Sequence, residues 1–144
     1  MTQPQILTAI PHRPPFLLID EIVECDDARI FCRKRFTGEE YFFAGHYPGQ
    51  PITPGVLLCE AAMQAGAVLL SRHAEAAAGK VPVATRMNDV RFKRVVRPGD
   101  TIEIEAVLRE RLAEAFFLDA KVTCEGKVAV RFEFACTLAN VEQA

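Results

Sequence analysis

From Pro54 to Leu70 the chain reads PGVLLCEAAMQAGAVLL, and only Glu60 and Gln64 interrupt a run of apolar or small side chains. Thr53 suits an N-cap and Pro54 the first helical position, where its missing N–H costs nothing. The pattern predicts a helix from there to about His73. Val56, Leu57, Leu58, Ala61, Ala62, Met63, Ala65, Ala67, Val68, Leu69 and Leu70 leave it almost no polar face. A helix that is apolar on all sides is a buried helix. This one is shorter than a membrane span and carries an acid, so the layer that buries it is expected to be protein and not lipid.

The flanking sequence supplies that layer as strands. PFLLIDEIVE (15–24) and ARIFCRKRFT (28–37) read as two strands joined near Asp26 and Asp27, followed by a loop-rich stretch from Gly38 to Thr53. After residue 80 everything reads as strand. TIEIEAVL (101–108) alternates Ile102, Ile104, Ala106 and Leu108 with Thr101, Glu103 and Glu105, the period of a half-buried strand, and RPGD (97–100) is a turn before it. AFFLDAKVTC and KVAVRFEFACTLA flank Glu125-Gly126, a hairpin connection with glycine available for positive φ. Val128, Val130, Phe132, Phe134 and Cys136 form the inward row of the second of these strands. Two strands before the helix and about four after it predict an α+β fold, a mainly antiparallel sheet wrapped around a long buried central helix. At 144 residues the chain is expected to form a single domain, 1–144.

A net charge of −2 gives no basic field for nucleic acid. Cys25, Cys32, Cys59, Cys124 and Cys136 are odd in number, irregularly spaced and without a C-x-x-C pair, which predicts reduced, buried thiols. His12, His46 and His73 are too scattered for a zinc pattern, so no metal is expected. MTQPQILTAIPHRPPF has neither the charged nor the apolar region of a signal peptide. The expected location is the cytoplasm, without membrane insertion.

The chemistry concentrates around the helix start. Glu60 lies in an apolar run, and burial favours the protonated form of a carboxyl; Gln64, four residues on, shares its face and can hydrogen-bond it. Taken alone, such an acid could equally face a subunit seam or water and make a plain ion pair. His46 stands in a loop stiffened by Pro48, Pro51 and Pro54 and opened by Gly45, Gly49 and Gly55, and an imidazole exchanges protons near neutral pH. The N–H of Gly55, in the first helical turn, lies where free donors and the helix dipole stabilise negative charge. A base, an acid and an anion-stabilising helix terminus within fifteen residues together favour an enzyme.

GHYPGQPITPGVLLCEAAMQ closely resembles the G-H-F-P-G-x-P-x-x-P-G-x-x-x-x-E-A-x-x-Q signature of the (3R)-hydroxyacyl-acyl-carrier-protein dehydratases of the FabZ type, from bacterial fatty-acid synthesis. IPHRPPFLLIDEIVE is similar to that family's opening and VRFKRVVRPGDTIEIEA to its later strand–turn–strand. The related FabA branch has Asp at the acid position, so Glu60 points to the FabZ branch; EAAMQ departs from the usual EAMAQ, but Gln64 keeps its offset. The resemblance implies a hot-dog fold and a homodimer with shared active sites, often assembled as a trimer of dimers. It implies dehydration of (3R)-3-hydroxyacyl carrier-protein thioesters to trans-2-enoyl thioesters, with His46 as base, Glu60 as acid, Gln64 orienting Glu60, and the Gly55 N–H polarising the thioester carbonyl. No cofactor is expected, because phosphopantetheine arrives on the substrate's acyl carrier protein. Phe43, Tyr47 and Val56 are candidates for lining the acyl site, and Arg91, Lys93, Arg94 and Arg97 for docking the acidic carrier. The rival expectations are a hot-dog thioesterase, for which an α-proton base at His46 is superfluous, and a non-catalytic acyl- or carrier-binding dimer, for which the His46–Glu60–Gln64 set is superfluous.

Overall fold

A computed structural model describes residues 3–73 and 79–140. A short helix α1 (Gln3–Ala9) leads to strands β1 (Glu21–Cys25) and β2 (Arg29–Arg35). A 3₁₀ turn at Tyr41–Ala44 precedes helix α2 (Gly55–Leu70), and β3 (Val81–Phe92), β4 (Thr101–Leu112), β5 (Ala115–Cys124) and β6 (Lys127–Ala139) follow. The strands form one antiparallel sheet in the order β1-β2-β4-β5-β6-β3.

Local chemistry explains the joints. Glu125 and Gly126 both take positive φ, 53° and 77°, the backbone of a two-residue hairpin whose twist matches its strands. At the turn before β4, the Asp100 N–H donates to the Arg97 carbonyl (3.0 Å) and the Arg97 N–H to Asp100 Oδ2 (2.8 Å). Strict alternation of buried and half-exposed residues along β5 gives the sheet one apolar face. Ile104, Phe116, Leu118, Val130, Phe132 and Phe134 project from that face and are all but fully buried, and α2 lies against it. The helix approaches closely at Gly66, where an added Cβ would stand 2.6 Å from Phe134 Cζ. The opposite edge of β3 pairs with no described strand, and Val83 and Met87 on it are exposed.

Several sequence expectations need correction. The apolar run 15–20 is not strand: β1 begins only at Glu21. Leu17, Leu18 and Ile19 are buried, yet the Leu18 N–H and the Phe16 carbonyl bond the side-chain amide of Gln64 in place of a neighbouring strand. Thr53 does not cap α2: its N–H donates to the Val96 carbonyl (2.7 Å), its hydroxyl has no described partner, and Pro54 occupies the cap position. The helix stops at Leu70, three residues before His73, as Ser71 and Arg72 fold into a turn. Its first turn is also open to solvent, with Val56 69% exposed, so burial begins at Leu58.

Candidate active site

Glu60 projects from the second turn of α2 toward the segment between α1 and β1. Its carboxylate oxygen Oε2 accepts a hydrogen bond from Gln64 Nε2 (3.1 Å) and lies 3.7 Å from His12 Nε2. Gln64 is fully buried and uses both ends of its amide: Oε1 accepts from the Leu18 N–H (2.8 Å), and Nε2 also donates to the Phe16 carbonyl (2.9 Å). One side chain therefore ties the 16–18 backbone to α2 and fixes the acid beside it. Both contacts to Glu60 fall on Oε2, leaving Oε1 free of described protein partners. Glu60 lies in an apolar run of sequence, yet its side chain retains 23% exposure. The reason is a cavity of about 100 Å³ beside it, walled by His12, Met63 and Ala67 and by Pro82 and Ala84 of β3.

His46 is held differently. Its Nδ1 lies 2.8 Å from the Ile52 carbonyl oxygen. A carbonyl only accepts, so Nδ1 carries a proton, and in the neutral ring Nε2 presents a lone pair. That is the tautomer a base needs. The Tyr47 ring leans on the imidazole, centroids 4.8 Å apart, and Tyr47 takes a positive φ of 55°. Within one chain His46 is not a contact of Glu60, whose charged and hydrogen-bonded partners are His12 and Gln64.

Gly55 opens α2, and the Leu57 N–H is the first to find a helical carbonyl, that of Pro54 (2.9 Å). The Gly55 and Val56 N–H groups precede it and lie at the unpaired, positive end of the helix. The Phe92 ring covers Gly55 so closely that an added Cβ would stand 2.6 Å from its Cε1. Any side chain here would displace the aromatic.

Of the three residues expected to line the acyl site, Tyr47 and Val56 are exposed, 62% and 69%. Phe43 is not: it is 5% exposed and packs edge-on against Phe36 at 6.1 Å and tilted on Phe42 at 4.7 Å. It serves the core under the His46 loop. The four basic residues are all exposed. Arg91, one residue before the end of β3, is in cross-strand register with Arg131, which is itself opposite Lys121. Lys93, Arg94 and Arg97 lie in the following connection, where the Lys93 and Arg94 N–H groups share the Ala129 carbonyl. A groove of about 540 Å³ beside Arg91 is lined by acids and bases in balance and holds none of the acid, base or helix-terminus groups described above. Among the described residues, no group of three or more His, Cys, Asp or Glu side chains is placed to hold a metal ion.

Sequence reasoning missed His12. Its only signal was its place in PHRPPF, ahead of a run that looked like strand; its approach to Glu60 depends on the chain folding back over α2.

Comparison with known proteins places these features in context. The FabA-like domain family matches residues 10–133. The 3-hydroxyacyl-[acyl-carrier-protein] dehydratase FabZ of Herpetosiphon aurantiacus is 45% identical over 132 residues, covering 89% of this chain and 91% of that one. The FabZ of Clostridium perfringens strain SM101 is 40% identical (87% and 89% covered), and that of Rickettsia rickettsii strain Sheila Smith 35% (93% of each). Among solved structures, the dehydratase heterocomplex ApeI:P of Xenorhabdus doucetiae superposes with a TM-score of 0.79 over 94% of this chain and 91% of that one, at 16% identity. The uncharacterized protein PH1136 of Pyrococcus horikoshii gives 0.68, over 88% and 87%, also at 16%. At such low identity these two structures bear on the fold alone: it is the hot-dog arrangement of sheet around helix.

Proposed function

Because the chain belongs to the FabA-like domain family, we infer that it is a 3-hydroxyacyl-[acyl-carrier-protein] dehydratase, a hydro-lyase of fatty-acid biosynthesis. The observation that carries the chemical assignment is the 2.8 Å contact of His46 Nδ1 with the Ile52 carbonyl, which in the neutral ring leaves Nε2 as a base. In the reaction we propose, Nε2 takes the C2 proton of a (3R)-3-hydroxyacyl thioester. The C2–H electron pair becomes the C2=C3 bond, the C3–O bond breaks, and Glu60 delivers its proton to the departing hydroxyl, which leaves as water. The products are the trans-2-enoyl thioester, a Glu60 carboxylate and a His46 imidazolium, which exchange with solvent to reset. An α-proton beside a thioester is weakly acidic, so the Gly55 N–H at the helix terminus stabilises the charge that develops on the thioester oxygen. Read this way, the reaction calls on no metal or redox cofactor, and phosphopantetheine enters on the carrier protein.

Two finer points belong to the same proposal. Arg91, Lys93, Arg94 and Arg97 form an exposed basic stretch suited to an acidic carrier protein. The active unit is a homodimer in which His46 of one protomer meets Glu60 of its partner. The open outer edge of β3, next to the Glu60 cavity, supports that arrangement. A thioesterase reading is not favoured, since hydrolysis has no use for a base aimed at C2.

Subunit mixing tests the shared site. His46→Ala and Glu60→Ala are each expected to be nearly inactive on a 3-hydroxyacyl thioester, followed by enoyl absorbance. Co-refolded heterodimers of the two regain activity, because one of their two sites is complete. Verified heterodimers that stay inactive would place both groups in one chain.

A further inference from the structure

We propose that His12 is a positioning residue for the dehydration, holding the carboxyl of Glu60 and stabilising the carboxylate that forms as Glu60 gives up its proton. This rests on the dehydratase reading above.

The His12 backbone is firmly placed. It lies in irregular chain between α1 and β1, yet both sides are anchored. On one side the Arg13 guanidinium donates to the carbonyls of Leu7 (2.9 Å), Ile10 (2.8 Å) and His12 itself (2.7 Å). On the other, the Gln64 amide holds Phe16 and Leu18. Ile6 and Ile10 anchor α1 in the core. So many ties on a loop with no ladder of its own leave the imidazole little freedom.

The ring then meets one charged group. His12 Nε2 lies 3.7 Å from Glu60 Oε2, within ion-pair range and beyond direct hydrogen-bond length. The adjoining cavity, about 100 Å³ with His12 and Glu60 as its polar walls, has room for a bridging water. The far nitrogen, Nδ1, is buried without a described partner, so no group there competes for the ring's orientation. A proton on Nε2 turns its positive end toward Glu60.

The geometry also divides the labour on the carboxyl. Gln64 and His12 both address Oε2, and Oε1 remains for the substrate hydroxyl. As the proton leaves Oε1, negative charge grows on the pair of oxygens. Donors already aimed at Oε2 therefore hold the transition state more strongly than the ground state, which is the difference that raises kcat. The task of His46 is a different one: with Nδ1 bound to Ile52, its Nε2 is assigned to the C2 proton.

The test uses the intact protein and a small 3-hydroxyacyl thioester. His12→Phe keeps ring volume and removes the donor; His12→Gln restores an N–H at similar reach. We expect His12→Phe to lower kcat about 10-fold with KM little changed, the low end for a contact to a charged group, and His12→Gln to recover most of it. In a Glu60→Gln background, His12→Phe should cost nothing further, because its effect runs through Glu60. Should His12→Phe fold poorly, the comparison of His12→Gln with His12→Ala in the two backgrounds carries the same reading. An active parent whose His12 variants match it, or lose equally in both backgrounds, overturns the positioning role alone. A parent that does not dehydrate the thioester overturns the dehydratase reading, and this inference with it.

Discussion

Replacing Gln64 with leucine isolates what one amide does for both fold and site. The substitution nearly conserves volume but deletes three hydrogen bonds. The Leu18 N–H is buried and left without an acceptor, at about 1–3 kcal/mol. The Phe16 carbonyl and Glu60 Oε2 are only part-buried and rehydrate, at about 0.5–1 kcal/mol each. Against this, an apolar side chain in a fully buried position returns about 1–2 kcal/mol. The balance is a loss of about 2 kcal/mol, which in urea lowers the unfolding midpoint by about 1 M at fixed protein concentration. Turnover should fall as well, since Glu60 loses a holder. Gln64→Glu sharpens the test: above the carboxylate range it sets an acceptor against the Phe16 carbonyl and Glu60, and the penalty is relieved as pH falls and a proton restores one donor. A Gln64→Leu protein as stable as its parent would refute the role of the amide in the fold. Lost stability with undiminished kcat would make Gln64 a structural clamp without a part in orienting the acid.

The remaining expectations are simpler. His46→Ala should fold and lose dehydration by about 10²–10⁴-fold, the usual contribution of a positioned base, and equal activity would remove it from the mechanism. Arg91→Glu with Arg94→Glu should slow turnover of carrier-protein substrates far more than of coenzyme A thioesters, with a salt-sensitive difference; equal losses on both would deny the docking role. Gly66→Ala should lower stability by about 1 kcal/mol, because the 2.6 Å approach of Phe134 outweighs the better helix propensity of alanine; Phe134→Leu should relieve it, as urea midpoints of the two variants would show. Burial pushes the thiols of Cys32 and Cys136 up to about 12 and that of Cys59 up to about 11. Unfolded thiols ionise near pH 8.5, so the stability these groups contribute is intact below about pH 8.5 and is lost as pH rises toward 12. Cys32→Ala with Cys136→Ala should flatten that decline in urea midpoints measured across alkaline pH.

Much of this was legible because periodicity reports burial. β5 and β6 begin and end where the alternation predicted, and Glu125-Gly126 turns between them as its composition required. His46, Glu60, Gln64 and Gly55 could be singled out as candidates, by the stiffened loop, the apolar helix and the helix start they occupy. What could not be read was anything depending on side chains reaching across the fold. Residues 15–20 imitate a strand because a buried backbone needs partners, and no local rule reveals that a glutamine 46 and 48 residues away supplies them. The same fold-back brings His12 to Glu60. Phe43 and Tyr47 lie on one loop, and only the packing of Phe36 and Phe42 decides which ring goes into the core.

The order of strands in space also sets a schedule for the growing chain. β3 is the next described element after α2, but its described neighbour in the sheet is β6, the last strand to be made. At about 5–20 residues per second on the ribosome, β3 waits for seconds while β4, β5 and β6 are synthesised. Throughout that interval both its edges are bare and the apolar face of α2 lacks much of its cover, a combination that invites chaperone capture or pairing with another nascent chain. Yield in a cell is therefore tied to prompt completion of Lys127–Ala139. Stalling or premature release before that strand leaves a fragment with all of the catalytic groups and no means of closing the sheet around them.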